Sequence, residues 1–297
     1  MGLYLGIDMG GTASRWVALD AAGKIAARGT EDGATGLIFD AAALAAFTGA
    51  LECIRDALPG PVARTHLGIT GAGFQQHPQV ESQVSAIFGL ERSQFSYSND
   101  VVLAWHSAFA GSARGHLVSA GTGSIGITML GSGEPVVVGG RGNLVDDGGS
   151  GSWIALRALD RLYRLIDDYG YPKGAESLAH EIFGLMGGAD QDSLRAAIYG
   201  KGRGQIGRLA IAVAKAAVDN DGLALEIISR AGDELARLAK SLILRAGPAP
   251  IAFIGGVISL HPLIRQRIEA NLDGAELSFP QTDAPLTAAQ MARAAAG

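Results

Sequence analysis

The chain is short of several things, and each scarcity excludes something. It has one cysteine in 297 residues, Cys53. A single thiol cannot build a disulfide framework, a CxxC metal site or a cysteine-held iron–sulfur cluster within one chain. Cys53 lies in an Ala/Leu-rich stretch with helical character and is expected to be a small buried hydrophobe. Charged residues make up only 18% against 48% hydrophobic, the reverse of the balance that keeps a chain disordered. Net charge is −5, and no Lys/Arg run is long enough to track a phosphate backbone, so no nucleic-acid partner is expected. No apolar run reaches the roughly 18 residues of a membrane span. The opening residues lack the basic start and apolar core of a signal peptide. A cytoplasmic protein with no membrane partner is therefore expected. With 10 prolines and no Gly-X-Y period, collagen-like and low-complexity readings also fail.

Glycine is plentiful: 43 residues, about twice average usage. The glycines cluster at 6–11, 68–73, 121–126, 139–151 and 255–256. Clustering of this kind marks tight turns and close backbone approach, often to a ligand. Between the clusters the pattern predicts strands over 3–8, 14–19 and 24–27, then a helix over 39–58 stopped by Pro59-Gly60-Pro61. A strand over 65–69, a helix over 78–88, a short strand over 95–97 and a helix over 101–110 follow. At Gly115 the pattern restarts, with strands over 116–120, 124–129 and 135–138. The same order of strand, Gly-Thr turn, strand, turn and strand opens both halves, which reads as an internal duplication. Helices over 150–168, 205–218 and 223–246, a strand over 250–254, a helix over 262–271, a strand over 276–279 and a helix over 285–296 complete the chain. Two domains are expected, 1–114 and 115–284, with the C-terminal helix able to pack back onto the first.

The loop Asp8-Met9-Gly10-Gly11-Thr12 lies between two strands. Gly10 and Gly11 have no Cβ, so an anion could approach their N–H groups closely, with the Thr12 hydroxyl as a further donor. Asp8 would then be placed to hold a hydrated Mg²⁺ against the same phosphates. A plain glycine hairpin with Asp8 as a turn residue explains the residues equally well. Gly121-Thr122-Gly123-Ser124-Ile125-Gly126 repeats the chemistry and also fits G-x-G-x-x-G. That dinucleotide fingerprint requires a helix to start on the loop, whereas residues 125–130 are strand-like, so the fit is rejected. Gly255-Gly256 offers a side-chain-free surface to a planar group such as adenine, or is an ordinary strand-to-helix turn. Asp100 stands between a short strand and a helix, where it could project into a cleft or cap the helix. The basic stretch 201–208 reads as a solvated loop before a helix. Asp219-Asn220-Asp221-Gly222 has its glycine in the fourth position, not the sixth a calcium loop needs. The six histidines have no ligand spacing.

Five segments together resemble a known family. Residues 6–12 are similar to the phosphate-1 motif of the actin/hexokinase/Hsp70 superfamily, 120–124 to phosphate-2, and Ile254-Gly255-Gly256-Val257 to the adenosine motif. Residues 139–154, from Gly139-Gly140-Arg141-Gly142 through Asp146-Asp147-Gly148-Gly149-Ser150 to Trp153-Ile154, resemble the GGWG-x-x-x-GDEGS-x-x-W-I segment of N-acetylglucosamine kinases. Those kinases fall in the BadF/BadG/BcrA/BcrD ATPase family. Ser98-Asn99-Asp100 resembles that family's (T/S)-N-D motif, and Thr35-Gly36 falls on its sugar-contacting (S/T)-N. The resemblance implies an α/β fold of two ribonuclease H-like (actin/hexokinase-type) domains around a central nucleotide cleft. It implies ATP and Mg²⁺, with Asp100 as catalytic base and Asp8 at the metal. Asp8, Gly10, Gly11, Thr12, Gly121, Thr122, Gly123, Ser124, Gly255 and Gly256 would meet the nucleotide. Thr35, Gly36, Asn99, Asp100, Gly139, Gly140, Asp146 and Asp147 would meet the sugar.

Four positions depart from the pattern: Arg141 stands for Trp, Asp146 for Gly, Gly148 for Glu and Gly36 for Asn. The missing Asn removes an expected contact to an N-acetyl group, and Asp146 could instead face a C2 ammonium. The implied activity is ATP-dependent phosphorylation of an amino sugar, N-acetylglucosamine at O6 first and glucosamine as the alternative. ATPase activators and sugar sensors of the same fold are the rivals. The former need a cysteine-ligated cluster, and no helix-turn-helix precedes residue 3 as the latter would require. The residues leave monomer and homodimer open.

Overall fold

Apolar runs bounded by glycine turns set up the first sheet of the computed structural model, which describes residues 2–296 except 73, 111, 113, 132, 133, 201 and 202. Gly73, the 132–133 end of the expected 131–133 turn, and residues 201 and 202 of the basic stretch therefore lie outside the described residues. The chain divides into two units, Met1–Gly111 with Gln281–Gly297, and Ser112–Pro280.

In the first unit β1 (Leu3–Met9), β2 (Ala13–Leu19) and β3 (Ile25–Asp32) form an antiparallel meander. β3 runs five residues beyond the expected 24–27, because Thr30, Glu31 and Asp32 pair with Arg15, Ser14 and Ala13. Helix α1 (Ala41–Ala57) starts where the Asp40 side chain accepts the Ala43 N–H. Its inward face is Phe47, Ala50, Leu51 and Ile54, the spacing of one helical stripe. Cys53 is off that stripe and exposed, so the buried hydrophobe expected there is corrected. β4 (Val62–Ile69) lies parallel to β1, α2 (Pro78–Phe88) follows, and β5 (Phe95–Asn99) lies parallel to β4 before α3 (Asp100–Ala108). The sheet order is β3-β2-β1-β4-β5. Residues 5–9 of β1 are all buried, as befits a central strand covered on both faces.

The second unit repeats the plan. β6 (His116–Ala120), β7 (Ser124–Met129) and β8 (Pro135–Gly139) form the meander. A helical layer follows: α4 (Gly151–Tyr169), α5 (Glu176–Met186), α6 (Gln191–Tyr199), α7 (Arg203–Arg208), α8 (Ala210–Val218) and α9 (Gly222–Ala246). Then come β9 (Ile251–Ile254), α10 (Pro262–Asn271) and β10 (Leu277–Ser278). The order β10-β9-β6-β7-β8 is that of the first sheet, with β9 parallel to β6 as β4 is to β1. The single helix expected over 205–218 is two, and residues 203–208 are helical with Ile206 buried, not a solvated loop. Among the described residues no helix is long and apolar enough to cross a membrane.

The last helix, α11 (Ala284–Ala294), returns to the first unit and lies on β1. Gly6 makes this possible: a Cβ there would overlap the Pro285 carbonyl and the Ala289 amide.

Candidate active site

In the first unit the end of β1 delivers Asp8 and the hairpin Gly10–Thr12 turns into β2, closed by the Gly10 N–H donating to the Ala13 carbonyl at 3.1 Å. Gly11 and Thr12 are exposed at its tip. Asp8 is 8% exposed, and its Oδ2 accepts from Arg15 Nη2 at 2.7 Å. Burial raises its carboxyl above the ordinary value, Arg15 pulls it back, and the Asp100 charge raises it further. The segment before α1 runs alongside, with Thr35 Cγ2 3.5 Å from where a Gly11 Cβ would sit.

Asp100 is partly buried at the first turn of α3. The cap of that helix is Asn99, whose Oδ1 accepts the Val101 N–H at 3.2 Å. Asp100 Oδ1 also accepts that N–H, at 3.0 Å, and its Oδ2 accepts from Thr70 Oγ1 at 2.5 Å. Burial raises the Asp100 carboxyl, while the Thr70 hydroxyl and the backbone donors oppose the rise. Asn99 is 6% exposed, and its Nδ2 donates to the Ala72 carbonyl at 3.0 Å. Both ends of that amide therefore serve the backbone: Asn99 joins α3 to the loop after β4. Gly36 donates its N–H to the Thr70 carbonyl at 2.9 Å. A Cβ at Gly36 would overlap the Ala72 methyl, so no asparagine fits there without displacing Ala72.

In the second unit the hairpin Gly121–Gly123 leans on the start of α4. Gly151 and Ser152 donate their N–H groups to the Gly121 and Thr122 carbonyls at 2.9 and 3.1 Å. Ser124 is 2% exposed and its hydroxyl donates to the Gly148 carbonyl at 2.8 Å. Asp147, also 2% exposed, has φ 54° and accepts the Ser124 N–H at 3.4 Å. Its carboxylate lies against Gly123, where an added Cβ would come within 3.0 Å of Oδ2. Asp147 therefore faces the second glycine hairpin. Asp146 is held within its own loop: Oδ2 meets Arg141 Nη1 at 2.9 Å and Oδ1 accepts the Arg141 N–H at 2.8 Å. Partial burial works to raise its carboxyl, but the Asp147 and Arg141 amides and the Arg141 guanidinium hold it below the ordinary value. Two of the departures from the family pattern are thus partners of each other. Gly139 and Gly140 carry φ of 69° and 71°, backbone that side-chain-bearing residues rarely adopt. A Cβ at Gly255 (φ 102°) would overlap the Ala120 carbonyl, so the diglycine lies close against the end of β6. Gly256 has open space where a side chain would be.

The structure thus assembles Asp8, Gly10–Thr12, Thr35–Gly36, Asn99 and Asp100 in one unit. In the other, 121–124, 147–148 and 255–256 meet around the end of β6. Sequence reasoning missed Thr70, whose one signal was a hydroxyl at a strand end before Gly71. It also missed Arg15, and α7, whose Gly207 packs on Thr122.

Among the described residues no group of three or more His, Cys, Asp and Glu could hold a metal. A single buried carboxylate such as Asp8 suits a cation carried mainly by phosphate and water, the usual state of Mg²⁺. Open space beside Gly121 and Gly256, where no atom lies within 4 Å of an added Cβ, suits the close approach of a nucleotide.

The sequence model of the BadF/BadG/BcrA/BcrD ATPase family matches residues 5–281. A provisionally designated N-acetylglucosamine kinase from Chromobacterium violaceum is 25% identical, with a TM-score of 0.79, over 98% of this chain and 99% of its own. A second protein of the same provisional designation, from Porphyromonas gingivalis, is 16% identical over 98% of each chain with a TM-score of 0.75. A ROK family glucokinase from Streptomyces griseus, solved with glucose and AMPPNP, is 19% identical with a TM-score of 0.61, over 99% of this chain and all of its own. No curated protein sequence matches the chain. The two sheets with their helices are the two domains of an actin/hexokinase-type sugar-kinase fold.

Proposed function

Because the chain belongs to the BadF/BadG/BcrA/BcrD ATPase family, we propose that it is an ATP-dependent kinase whose acceptor is an amino sugar, N-acetylglucosamine at O6. The observation that carries this reading is Asp100: a carboxylate held at both oxygens, in the same unit as the Asp8 hairpin. Phosphoryl transfer asks a protein for alignment, charge compensation and a base near the attacking hydroxyl. Asp100 takes the proton of the sugar hydroxyl. The N–H groups of Gly11 and Thr12 donate to phosphate oxygens, as do those of Thr122 and Gly123, the Gly10 and Gly121 N–H groups being spent on closing their hairpins, and Gly255-Gly256 lies against the adenine. Mg²⁺, when present with the nucleotide, compensates charge on the phosphates, with Asp8 as its protein contact. Gly139 and Gly140 let backbone groups reach the sugar.

Acetyl preference is expected to be shallow. No asparagine amide is available at Gly36, so an acetyl group gains only apolar fit there, about 1–3 kcal/mol. The glucosamine alternative rests on the missing Asn at Gly36 and on Asp146 facing the C2 ammonium, and of these the Asp146 carboxylate is already paired with Arg141. N-acetylglucosamine, the substrate named for the neighbour at 25% identity, therefore stays first. The test is to incubate the protein with ATP, Mg²⁺ and N-acetylglucosamine and to identify the product by phosphorus-31 NMR. A phosphomonoester on O6 supports the reading. Free phosphate without a sugar ester counts against it.

A further inference from the structure

We infer that Thr70 is a positioning residue for this phosphoryl transfer, its hydroxyl fixing the rotamer in which Asp100 meets the acceptor hydroxyl. The inference rests on the kinase reading above. Thr70 follows the last residue of β4 and makes three bonds. Its N–H donates to the Met9 carbonyl at 3.0 Å, its carbonyl accepts the Gly36 N–H at 2.9 Å, and its Oγ1 donates to Asp100 Oδ2 at 2.5 Å. One residue thus ties together the end of β1, the segment at Thr35–Gly36 and the Asp100 carboxylate. An added Cβ at Gly10 would have Thr70 Oγ1 at 4.0 Å, so this hydroxyl stands between the glycine hairpin and the proton acceptor.

The bond is not a requirement of the fold. Other threonines in the sheets direct their hydroxyls to backbone: Thr65 to the Leu5 carbonyl at 2.9 Å and Thr128 to the Gly115 carbonyl at 2.8 Å. The duplication supplies a sharper control. β9 occupies in the second sheet the place of β4 in the first, and the residue after it is Gly255, which has no hydroxyl. The strand crossing is therefore built without a side chain at this position. At this position the first unit has a hydroxyl bonded to a carboxylate, where the second has glycine. With Oδ1 on the Val101 N–H and Oδ2 on Thr70, the carboxylate cannot rotate freely yet keeps lone pairs for a proton. A base must lie within hydrogen-bond reach of the proton it removes, so a lost anchor lowers turnover more than binding.

A hydroxyl donor also favours the ionised form of Asp100 against its burial. The elements packed on α3 bring other titratable groups. Asp8 on β1 is the like charge that senses Asp100, and Arg15 pairs with it. On β4, Arg64 donates to the Ser93 carbonyl, and the His66 imidazole is pushed down to about 4 by burial and then by His106. His106, on α3 itself, is lowered by burial. Tyr97 on β5 is raised by burial, and Arg293 on α11 donates to the Ala21 carbonyl. Neither histidine nor Tyr97 is charged at neutral pH, so a change at Thr70 is read mainly through Asp100, with Asp8 as its neighbour.

The test compares wild type, Thr70→Val and Thr70→Ser for kcat and KM over about pH 5 to 9. Valine keeps the shape and removes the donor, whereas serine keeps the donor. The expected result is a loss of about tenfold in kcat for Thr70→Val near neutral pH, the scale of one hydrogen bond to a charged group, with KM for ATP unchanged. The acid limb of its profile moves to higher pH, and Thr70→Ser restores both. A limb at the wild-type position in an active Thr70→Val, or failure of Thr70→Ser to restore kcat, overturns the inference. If Thr70→Val does not fold, Thr70→Ala is read in the same way. Failure of both to fold makes the role structural and also overturns it. A wild type inactive on every sugar rejects the kinase reading itself, a result distinct from an active wild type with an unshifted variant.

Discussion

The two glycine hairpins occupy the same place in two sheets of the same topology, and they are built differently. The first, after β1, brings its own buried carboxylate, Asp8, and has a second, Asp100, close enough for its charge to be felt. The second, after β6, has Ser119 and Ala120 in place of Asp8 and Met9 and rests its carbonyls on the first turn of α4. Its nearby carboxylate, Asp147, comes from a distant loop and bonds the hairpin backbone. A duplicated scaffold has thus produced one charged, open-tipped loop suited to chemistry and one braced loop suited to holding a ligand. Substitutions at the carboxylates of the first hairpin should then change turnover, and substitutions at the residues that brace the second hairpin should change stability and nucleotide affinity.

Four experiments test that contrast. The largest effect is expected for Asp100→Asn, which keeps the shape and removes the proposed base: kcat falls at least about 10²-fold. Thermal unfolding and ATP affinity stay near wild type, because Asn99 caps α3. A kcat within a few-fold of wild type, measured by steady-state kinetics, would remove Asp100 from the chemistry.

In the second unit Gly255→Ala should act through the fold. Gly255 has φ 102° and ψ 162°, a region open essentially to glycine. Strain of about 1–3 kcal/mol, with a Cβ overlapping the Ala120 carbonyl, should appear as lower denaturant resistance and a raised KM for ATP. Unchanged unfolding would mean that the loop rearranges freely.

Next comes the acid limb. Burial raises Asp100 above the ordinary carboxylate value, and only the ionised form can take a proton. As pH falls through that raised value, kcat/KM drops about tenfold per pH unit. The limb should therefore lie above the usual carboxylate range, and one within that range contradicts the burial argument.

The smallest effect concerns the sugar. Arg141 is 65% exposed along its side chain, and exposed ion pairs contribute about 0–1 kcal/mol. Arg141→Ala should leave stability nearly unchanged but uncover Asp146, moving the glucosamine to N-acetylglucosamine ratio of kcat/KM a few-fold toward glucosamine. No movement, or movement the other way, would place Asp146 away from the C2 substituent.

The hairpins and the repeated meander are legible in the sequence because glycine, β-branched residues and turn spacing are local signals. The α5 and α6 helices were not, being short and separated by glycines at 170, 174 and 187. The contacts that define the site are non-local and leave little trace. Thr70 reaches Asp100 across 30 residues, Ser124 and Asp147 reach each other across 23. Asn99 reads as a sugar ligand by motif, yet its amide holds the Ala72 carbonyl and caps α3. Arg141 and Asp146, two separate departures from the pattern in the sequence, are bonded to each other in the fold. Cys53 shows a limit of composition: an Ala/Leu-rich neighbourhood says nothing of which way one residue faces.

ADP release followed across N-acetylglucosamine, glucosamine, glucose and a no-sugar control decides whether this scaffold phosphorylates a sugar. Turnover is expected to depend on sugar, fastest or nearly so with N-acetylglucosamine, with a margin over glucosamine of no more than roughly 10². ADP release at the same rate with and without every sugar would contradict the kinase reading.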